Sequence, residues 1–511
     1  MTATISRHLA AAIAALLCVL ALPAGAGAQS PSGFPAPVIA GDHPDPTIVR
    51  ADNGMFYASA TSGSWAPIFP IFRSPDLVHW QQVGSIFQRP PRGTYGNYWA
   101  PELVQWSGRF LAFYSASRQR GSPCVGVAEA AQAEGPWTDR GHALCWPHGI
   151  IDPQPFTDAD GSRWLLFKGL GARGSLYAMR FDEQTLRAYG PATRLLSPDA
   201  KWEQQVTEGP SLLLHDGTYY LFYSGGHCCR PPCTYAEGVA RASSLLGPYV
   251  KDPDNPILTG DSQWKCPGHG TVLDLGPQGI VFLHHAYVAG DVQDLRREML
   301  LDHVDFGADG WPEIDRGPDS GPRAAAAPQP PPTTSFADSF AGTALGPGWE
   351  WIFDYAPAMQ VGGGALSLAC GTDPLNPQSV TQQVVGSRFT AVATLDSRIK
   401  GPGTLGVAAL GPGSLVRGVE MRKGMLRAVR LTVGGITVGP WAPAPAGRQI
   451  RLLISEIPGG TMGVYASGDG VGYTQIPAGP AAIGPLPTRI GLTCRGHASG
   501  RFLAAALRVT G

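Results

Sequence analysis

Short runs of aromatic and β-branched residues, each opened by a glycine, recur along the first two thirds of the chain. Gly54 opens GMFYASATSG, Gly108 opens GRFLAFYSAS, Gly161 opens GSRWLLFKG, Gly217 opens GTYYLFYSGG and Gly279 opens GIVFLHHAY, at intervals of 54, 53, 56 and 62 residues. The runs carry no helical period and are bounded by turn residues, so each reads as a strand following a tight turn. Six to ten residues ahead of each glycine stands a polar residue hemmed in by proline or glycine: Asp45 in PDP, Glu102 in APE, Asp152 in IDP, Glu208 in TEGP and His269 in GHG. A second turn motif, SPDLVHW (Ser74–Trp80), GPW (Gly135–Trp137) or GPY (Gly247–Tyr249), suits the connection between outer strands. Repeats of this length and composition predict the blades of a five-bladed β-propeller. The innermost strands of a propeller start at one rim of its channel, so the residues that head them, Asp45, Asp152 and Glu208 among them, are expected to converge.

After the last repeat comes GPDSGPRAAAAPQPPPTT, whose proline and small polar residues cannot build a core and read as an extended linker. Beyond it, period-two alternation in SRFTAVATLDSRI, MLRAVRLTVGG and RQIRLLISEI, broken by glycine turns, predicts a β-sandwich. The N-terminus combines Arg7, an apolar run from Leu9 to Leu22 and the small residues Ala26-Gly27-Ala28, the layout of an export signal cleaved near Ala28. That run is too short to span a bilayer, so no membrane association is expected after cleavage. The all-β organisation is therefore a signal over 1–28, a propeller over 29–316, a linker over 317–334 and a sandwich over 335–511. GLGARG at Gly169–Gly174 matches a dinucleotide fingerprint, but SLYAMRF follows it as a strand-like alternation where that fingerprint needs a helix.

Composition narrows the picture. With 67 Gly, 48 Pro and 15% charged residues in 511, the chain suits turn-dense β structure, and its formal charge of −1 without a basic run argues against nucleic acid as a partner. Of nine cysteines, Cys18 falls in the signal and the remaining eight fit disulfides in an oxidising compartment, extracellular or periplasmic. Cys124 and Cys145 share one repeat, Cys228, Cys229, Cys233 and Cys266 cluster around the fourth, and Cys370 and Cys494 belong to the C-terminal part. HCCRPPC with Cys266 and His269 lacks the CxxC and HxxxH pairs of a closed zinc site, and no metal ligand is assigned. Four clustered cysteines allow three pairings.

Glycosidic bonds are commonly cleaved by two carboxyl groups, one protonating the leaving oxygen and one activating water or attacking. A third carboxylate beside the acid raises its pKa, since neighbouring like charges cannot both ionise cheaply. The strings HPDPTIVR, SPDLVHW, YWAPEL, IDPQPFTDADG, TEGPSL, GHGTVL and RREMLLDHVDF with DGWP, in this order between Pro35 and Ile314, resemble the family 43 glycoside hydrolases. That resemblance implies a five-bladed propeller acting on arabinose- and xylose-containing polysaccharides with inversion of configuration. It makes Asp45 the general base, Glu208 the general acid and Asp152 the carboxylate that orients the acid and raises its pKa. Glu102 has a structural or substrate-supporting counterpart and is left out of the catalytic set. Arg297, with Arg296 beside it as the alternative, matches an arginine that reaches substrate; the structural alternative is a surface ion pair with Glu298 or a neighbour. His269 is either a core histidine or an axial residue near the sugar or a bound cation. No cofactor is required, and the resemblance leaves room for an ion near the propeller axis, a structural calcium being the candidate. Tyr98 and Trp99 offer rings for stacking on a sugar face, with Trp99, beside the rim motif, the favoured contact.

The segment from Ser335 resembles, more weakly, the concanavalin-like sandwich attached to many family 43 β-xylosidases, through DSFAGTALGPGWEW and GVAAL. In such enzymes the sandwich packs on the propeller and favours release of single terminal sugars. The resulting expectation is a secreted α-L-arabinofuranosidase or β-xylosidase taking arabinan, arabinoxylan or derived oligosaccharides. Its rivals are an endo-arabinanase, a carbohydrate-binding propeller without catalysis and an adhesion scaffold.

Overall fold

Gly54, Gly108, Gly161, Gly217 and Gly279 all adopt φ between 75° and 94°, a region closed to most L-residues, and each turns the first strand of a blade into the second. This is why glycine recurs with the repeat. The computed structural model describes residues 34–314 and 335–510, except 35, 120, 172–173, 230–231, 290–295, 371–377, 386–387, 411–415, 433–434, 458–460 and 478–487. The signal at 1–28 and the linker at 317–334 lie outside the described residues. The described residues fall into two compact units, one on either side of that linker.

The first unit is a five-bladed propeller of four-stranded antiparallel sheets. Blade 1 is Thr47–Arg50, Phe56–Ser59, Ile68–Ser74 and Gln81–Phe87; blade 2 is Trp99–Trp106, Arg109–Ser117, Pro123–Ala130 and Thr138–Cys145. Blade 3 is Ile150–Thr157, Arg163–Gly169, Leu176–Asp182 and Arg187–Leu196. Blade 4 is Glu208–His215, Thr218–Gly225, Ala236–Ala242 and Val250–Lys251, and blade 5 is Trp264–Asp274, Ile280–Val288, Arg297–Phe306 and Pro312–Ile314. SPDLVHW, GPW and GPY fall between third and fourth strands. SLYAMRF lies on the third strand of blade 3, so no helix follows GLGARG. Cys266 belongs to the first strand of blade 5, a correction to its grouping with the fourth repeat.

The second strands read as near-continuous apolar runs because both faces are covered. Phe113 and Phe167 pack between blades 2 and 3, Leu221 and Tyr223 between blades 3 and 4, and Phe222 and Phe282 between blades 4 and 5. An aromatic side chain buries about 150–250 Å², so these interfaces dominate the stability of the ring. Ahead of blade 1, Ile39 bridges to Met299 and the His43 amide donates to the Arg297 carbonyl at 2.9 Å, hooking the start of the propeller onto blade 5.

The second unit is a β-sandwich. One sheet runs, in spatial order, through Ala358–Val361, Leu366–Ala369, Ser499–Thr510, Arg388–Asp396, Gln449–Ile457, Thr461–Ser467 and Thr474–Gln475, with Ser335–Asp338 also on Ser499–Thr510. The other runs through Gln378–Gln383, Arg489–Arg495, Thr404–Leu410, Val416–Arg422, Met425–Thr432 and Gly435–Val438. Alternate residues of both, among them Leu395, Leu405, Val407, Leu452 and Phe502, meet in one core. Cys370 and Cys494 join the two sheets as a disulfide.

Candidate active site

At the head of each first strand one residue takes the left-handed backbone: Asp45 (φ 52°), Ala100 (44°), Asp152 (55°), Gly209 (56°) and His269 (45°). In blades 2 to 5 the ladder slips at this point, which makes these positions β-bulges that aim a side chain into the channel. A non-glycine residue held there costs about 1–3 kcal/mol, so it persists only where neighbours fix it. Those neighbours are the second strands of the preceding blades. The Ala100 amide donates to Thr61 Oγ1 at 2.7 Å, Asp152 to Ser115 Oγ at 3.0 Å and His269 to Ser224 Oγ at 2.7 Å. The Asp45 amide donates to His285 Nδ1 at 3.1 Å and closes the ring.

The five polar markers are therefore not equivalent, contrary to the expectation from their spacing. Asp152 and His269 occupy the bulge and Asp45 the matching left-handed position of blade 1, while Glu208 stands one residue before the bulge of its own blade and Glu102 two after. A bulge adds an unpaired residue, and a repeat read from spacing alone cannot see the offset. Glu102 shares its layer with Thr47 and Thr271, whose hydroxyls each donate to it at 2.7 Å, so it braces blades 1, 2 and 5.

Asp45 accepts from Thr61 Oγ1 at 2.7 Å and from Arg297 Nη1 at 2.9 Å, and the His269 Nδ1 lies 3.5 Å from Oδ1. Burial opposes its charge, but Arg297, His269 and Thr61 together hold the carboxyl well below the usual range. The guanidinium thus contacts the candidate base. Glu208 accepts from Lys168 Nζ at Oε2 and from Tyr235 at Oε1, the latter at 2.8 Å. Asp152 Oδ2 accepts the Gly209 amide at 3.2 Å. Burial pushes the Asp152 carboxyl up to about 6, with Glu208 and Asp45 adding to the rise and His269 and Lys168 opposing it. For Glu208 burial also disfavours the charge, yet the Lys168 ammonium outweighs it and the pKa falls. The buried ammonium on Glu208 is what sends the two coupled carboxyls in opposite directions.

His269 lies among these groups. Burial lowers its pKa, but Asp45, Asp152, Glu208 and Glu237 reverse the sign and favour the imidazolium. Glu237 is fully buried, accepts from Ser224 Oγ, and is pushed by burial up to about 8. His285, stacked on Tyr235 at 5.8 Å, is driven the other way by burial and Arg297 and stays neutral. Its Nδ1 accepts the Asp45 amide, so the proton is on Nε2.

Trp99 heads the first strand of blade 2 half-buried, at the position Glu208 holds in blade 4. Tyr98 is fully buried against Phe69 and near Thr94, a core residue with no face for a sugar. The fourth-repeat cysteines pair as Cys228–Cys229 and Cys233–Cys266, and Cys124 pairs with Cys145. Cys229 Sγ lies 3.9 Å from Arg297 Nη1, and Cys233–Cys266 anchors the blade 4 loop three residues ahead of His269. Calcium takes six to eight oxygen ligands. Near the axis both Glu102 oxygens accept from threonine hydroxyls, and burial pushes that carboxyl up to about 7. The one close group of His, Cys and carboxylate donors among the described residues is Cys124, His142 and Cys145, whose two sulfurs form a disulfide.

Lys168, Tyr235, His285 and Glu237 were not singled out by sequence. A signal existed for two of them: Thr61, Ser115, Lys168 and Ser224 each follow their blade glycine by seven residues, and His285 follows its own by six. Gly209 was likewise missed. A Cβ on it would lie 2.8 Å from the His269 ring. Gly209→Ala is therefore expected to shift both His269 and the Asp152 bond and to lower kcat/KM by about 100-fold, while the thermal transition still shows a folded protein. Wild-type kcat/KM in the variant would show that neither contact matters.

The profile of the Glycosyl hydrolases family 43 matches residues 34–312, and the chain belongs to that family. It is 28% identical over 296 residues to a non-reducing end α-L-arabinofuranosidase of Bacteroides ovatus, covering 55% of this chain and 54% of that one. It is 27% identical over 291 residues to an extracellular endo-α-(1→5)-L-arabinanase of Bacillus subtilis, covering 52% and 86%. The chain thus spans about half the length of the Bacteroides relative. A solved structure of a xylan β-1,4-xylosidase from Bacillus halodurans superposes with a TM-score of 0.75 at 22% identity, covering 92% of this chain and 99% of that one, so the likeness of fold extends through the sandwich. No helix among the described residues is long and apolar enough to cross a membrane.

Proposed function

We propose that this protein is a secreted, inverting, exo-acting glycoside hydrolase that removes terminal arabinose or xylose from plant cell-wall polysaccharides, as an α-L-arabinofuranosidase or β-xylosidase. The observation that carries the reading is a pair of buried carboxyl environments tuned in opposite directions at one rim, Asp45 held as the anion and Asp152 held towards the acid, with Glu208 beside Asp152. Pairs whose surroundings push their pKa values apart divide base from acid. Asp45 takes a proton from water as that water attacks the anomeric carbon. Glu208 gives one to the departing glycosidic oxygen. Asp152 and Glu208 titrate as a pair, so below about pH 6 they retain a proton on which the acid step draws. Arg297 and Thr61 keep Asp45 aimed and ionised, and Trp99 contributes a ring face for the sugar.

The test sets 4-nitrophenyl α-L-arabinofuranoside beside the β-D-xylopyranoside, with arabinan and arabinoxylan as polymers. Release of nitrophenol from one glycoside together with free monosaccharide from a polymer is expected. Interior-cut oligosaccharides without monosaccharide would indicate the endo-arabinanase reading suggested by the Bacillus subtilis relative. Binding to polymer with no release of sugar would indicate a non-catalytic propeller.

A further inference from the structure

The propeller repeats one bond around its axis and breaks it once. In four blades the residue that pairs across from the position just before the bulge, or its counterpart in blade 1, accepts the bulge amide of the next blade: Thr61, Ser115, Ser224 and His285. The register places Lys168 at the same point in blade 3, opposite Ile151 as Ser115 is opposite Trp99 and Ser224 opposite Glu208. An ammonium is a donor only and cannot accept that bond. The Gly209 amide goes instead to Asp152 Oδ2 at 3.2 Å, and Lys168 Nζ reaches past the brace to Glu208 Oε2.

A nine-tenths buried lysine is rare unless it is paired. Here its cost is met at one place only, beside Glu208 and Asp152, whose charges raise its own pKa against burial. A serine would serve the fold at this position, since serine does so in blades 2 and 4. We infer that Lys168 is a positioning residue for the acid step: it clamps Glu208 together with Tyr235, and by leaving the Gly209 amide to Asp152 it ties both carboxyls into one proton-sharing unit. This rests on the hydrolase reading given above. Facing Glu208 are Lys168 and Asp152 from blade 3, Tyr235 and Glu237 from its own blade, and His269 from blade 5. Among these, Lys168 is the one whose removal deletes a cation from the acid and restores the common brace.

The sign follows. A cation beside a carboxyl favours the carboxylate, so its removal raises the pKa of the acid. The acid must be protonated to act, so the alkaline limb of kcat/KM against pH moves upward. With an oligosaccharide of the sugar that the wild type releases, Lys168→Ser is expected to move that limb up by about 1–3 pH units and to lower the plateau rate, as Glu208 loses its orientation. Lys168→Arg, which keeps the charge, holds the limb near its wild-type place. Asp152→Asn, which removes a like charge, moves it down.

Lys168→Met is the second uncharged variant and takes the same reading if the serine variant does not fold. A limb that stays in place or moves down in a folded uncharged variant would overturn the inference, as would failure of both variants to fold, since that would make Lys168 a structural requirement. Absence of sugar release by the wild type would instead overturn the hydrolase reading, so the two failures are told apart.

Discussion

Asp45→Ala is expected to abolish hydrolysis of aryl glycosides and oligosaccharides alike, a loss of at least about 10²–10⁴-fold, the usual contribution of a general base. The reason is that water must be activated whatever the leaving group. A good leaving group shortens the acid's task but does nothing for the nucleophile. The structure favours this assignment because Asp45 is held ionised: burial alone would protonate it, and Arg297, His269 and Thr61 outweigh burial. Removing the carboxylate also leaves the Arg297 guanidinium buried without its partner, which destabilises the fold in its own right. Asp45→Asn loses the same counter-ion for Arg297 but keeps the shape, and its amide oxygen can still accept from Thr61, so a folded but inactive Asp45→Asn places the loss in the chemistry. Proton NMR of the first sugar released by the wild type completes the test: the anomer opposite to that of the substrate is expected, and retention would contradict Asp45 as the base.

The fold was legible because it is written in punctuation. Five glycines at positive φ, one per inner hairpin, set the repeat, and the apolar second strands follow from burial on both faces. The rim carboxyls were legible through their proline and glycine flanks, yet their exact layer was not. The bulge that turns Asp152 and His269 inward is a property of the ladder between two strands, and the chain alone shows only one of them. Lys168 illustrates the second gap. Within LLFKG it looks like a polar residue closing a strand, and it acquires meaning once Glu208, 40 residues on, is seen to lie against it. The electrostatics of Glu208 were half legible for the same reason: like-charge repulsion from Asp152 was visible in the motif pair, and the opposing ammonium was not. Tyr235, His285 and Glu237 reach the site from second and third strands, where sequence pattern reports burial rather than contact.

Glu208→Ala is expected to divide substrates by their leaving groups. With an oligosaccharide the departing oxygen is a poor leaving group without protonation, and loss of the acid lowers kcat/KM by about 10²–10⁴-fold. With a dinitrophenyl glycoside the departing phenolate is stable at neutral pH, acid help is dispensable, and the loss is about 10-fold or less by the same reasoning. The variant should also lose its alkaline limb on the activated substrate, since the group that had to stay protonated is gone. Two features of the site sharpen the outcome. Tyr235 donates to Glu208 Oε1 and Lys168 to Oε2, so both oxygens are engaged, and the leaving oxygen must take one of them over. Truncation to alanine frees Lys168, which is left near Asp152 as its remaining anionic partner and so favours ionised Asp152. Asp152 cannot then stand in as a proton donor at neutral pH, and the rescue seen with the dinitrophenyl leaving group should be flat across the neutral range. Equal losses on the two substrates would remove Glu208 from the acid role and leave Asp152, its rim neighbour with a raised pKa, as the group to test next.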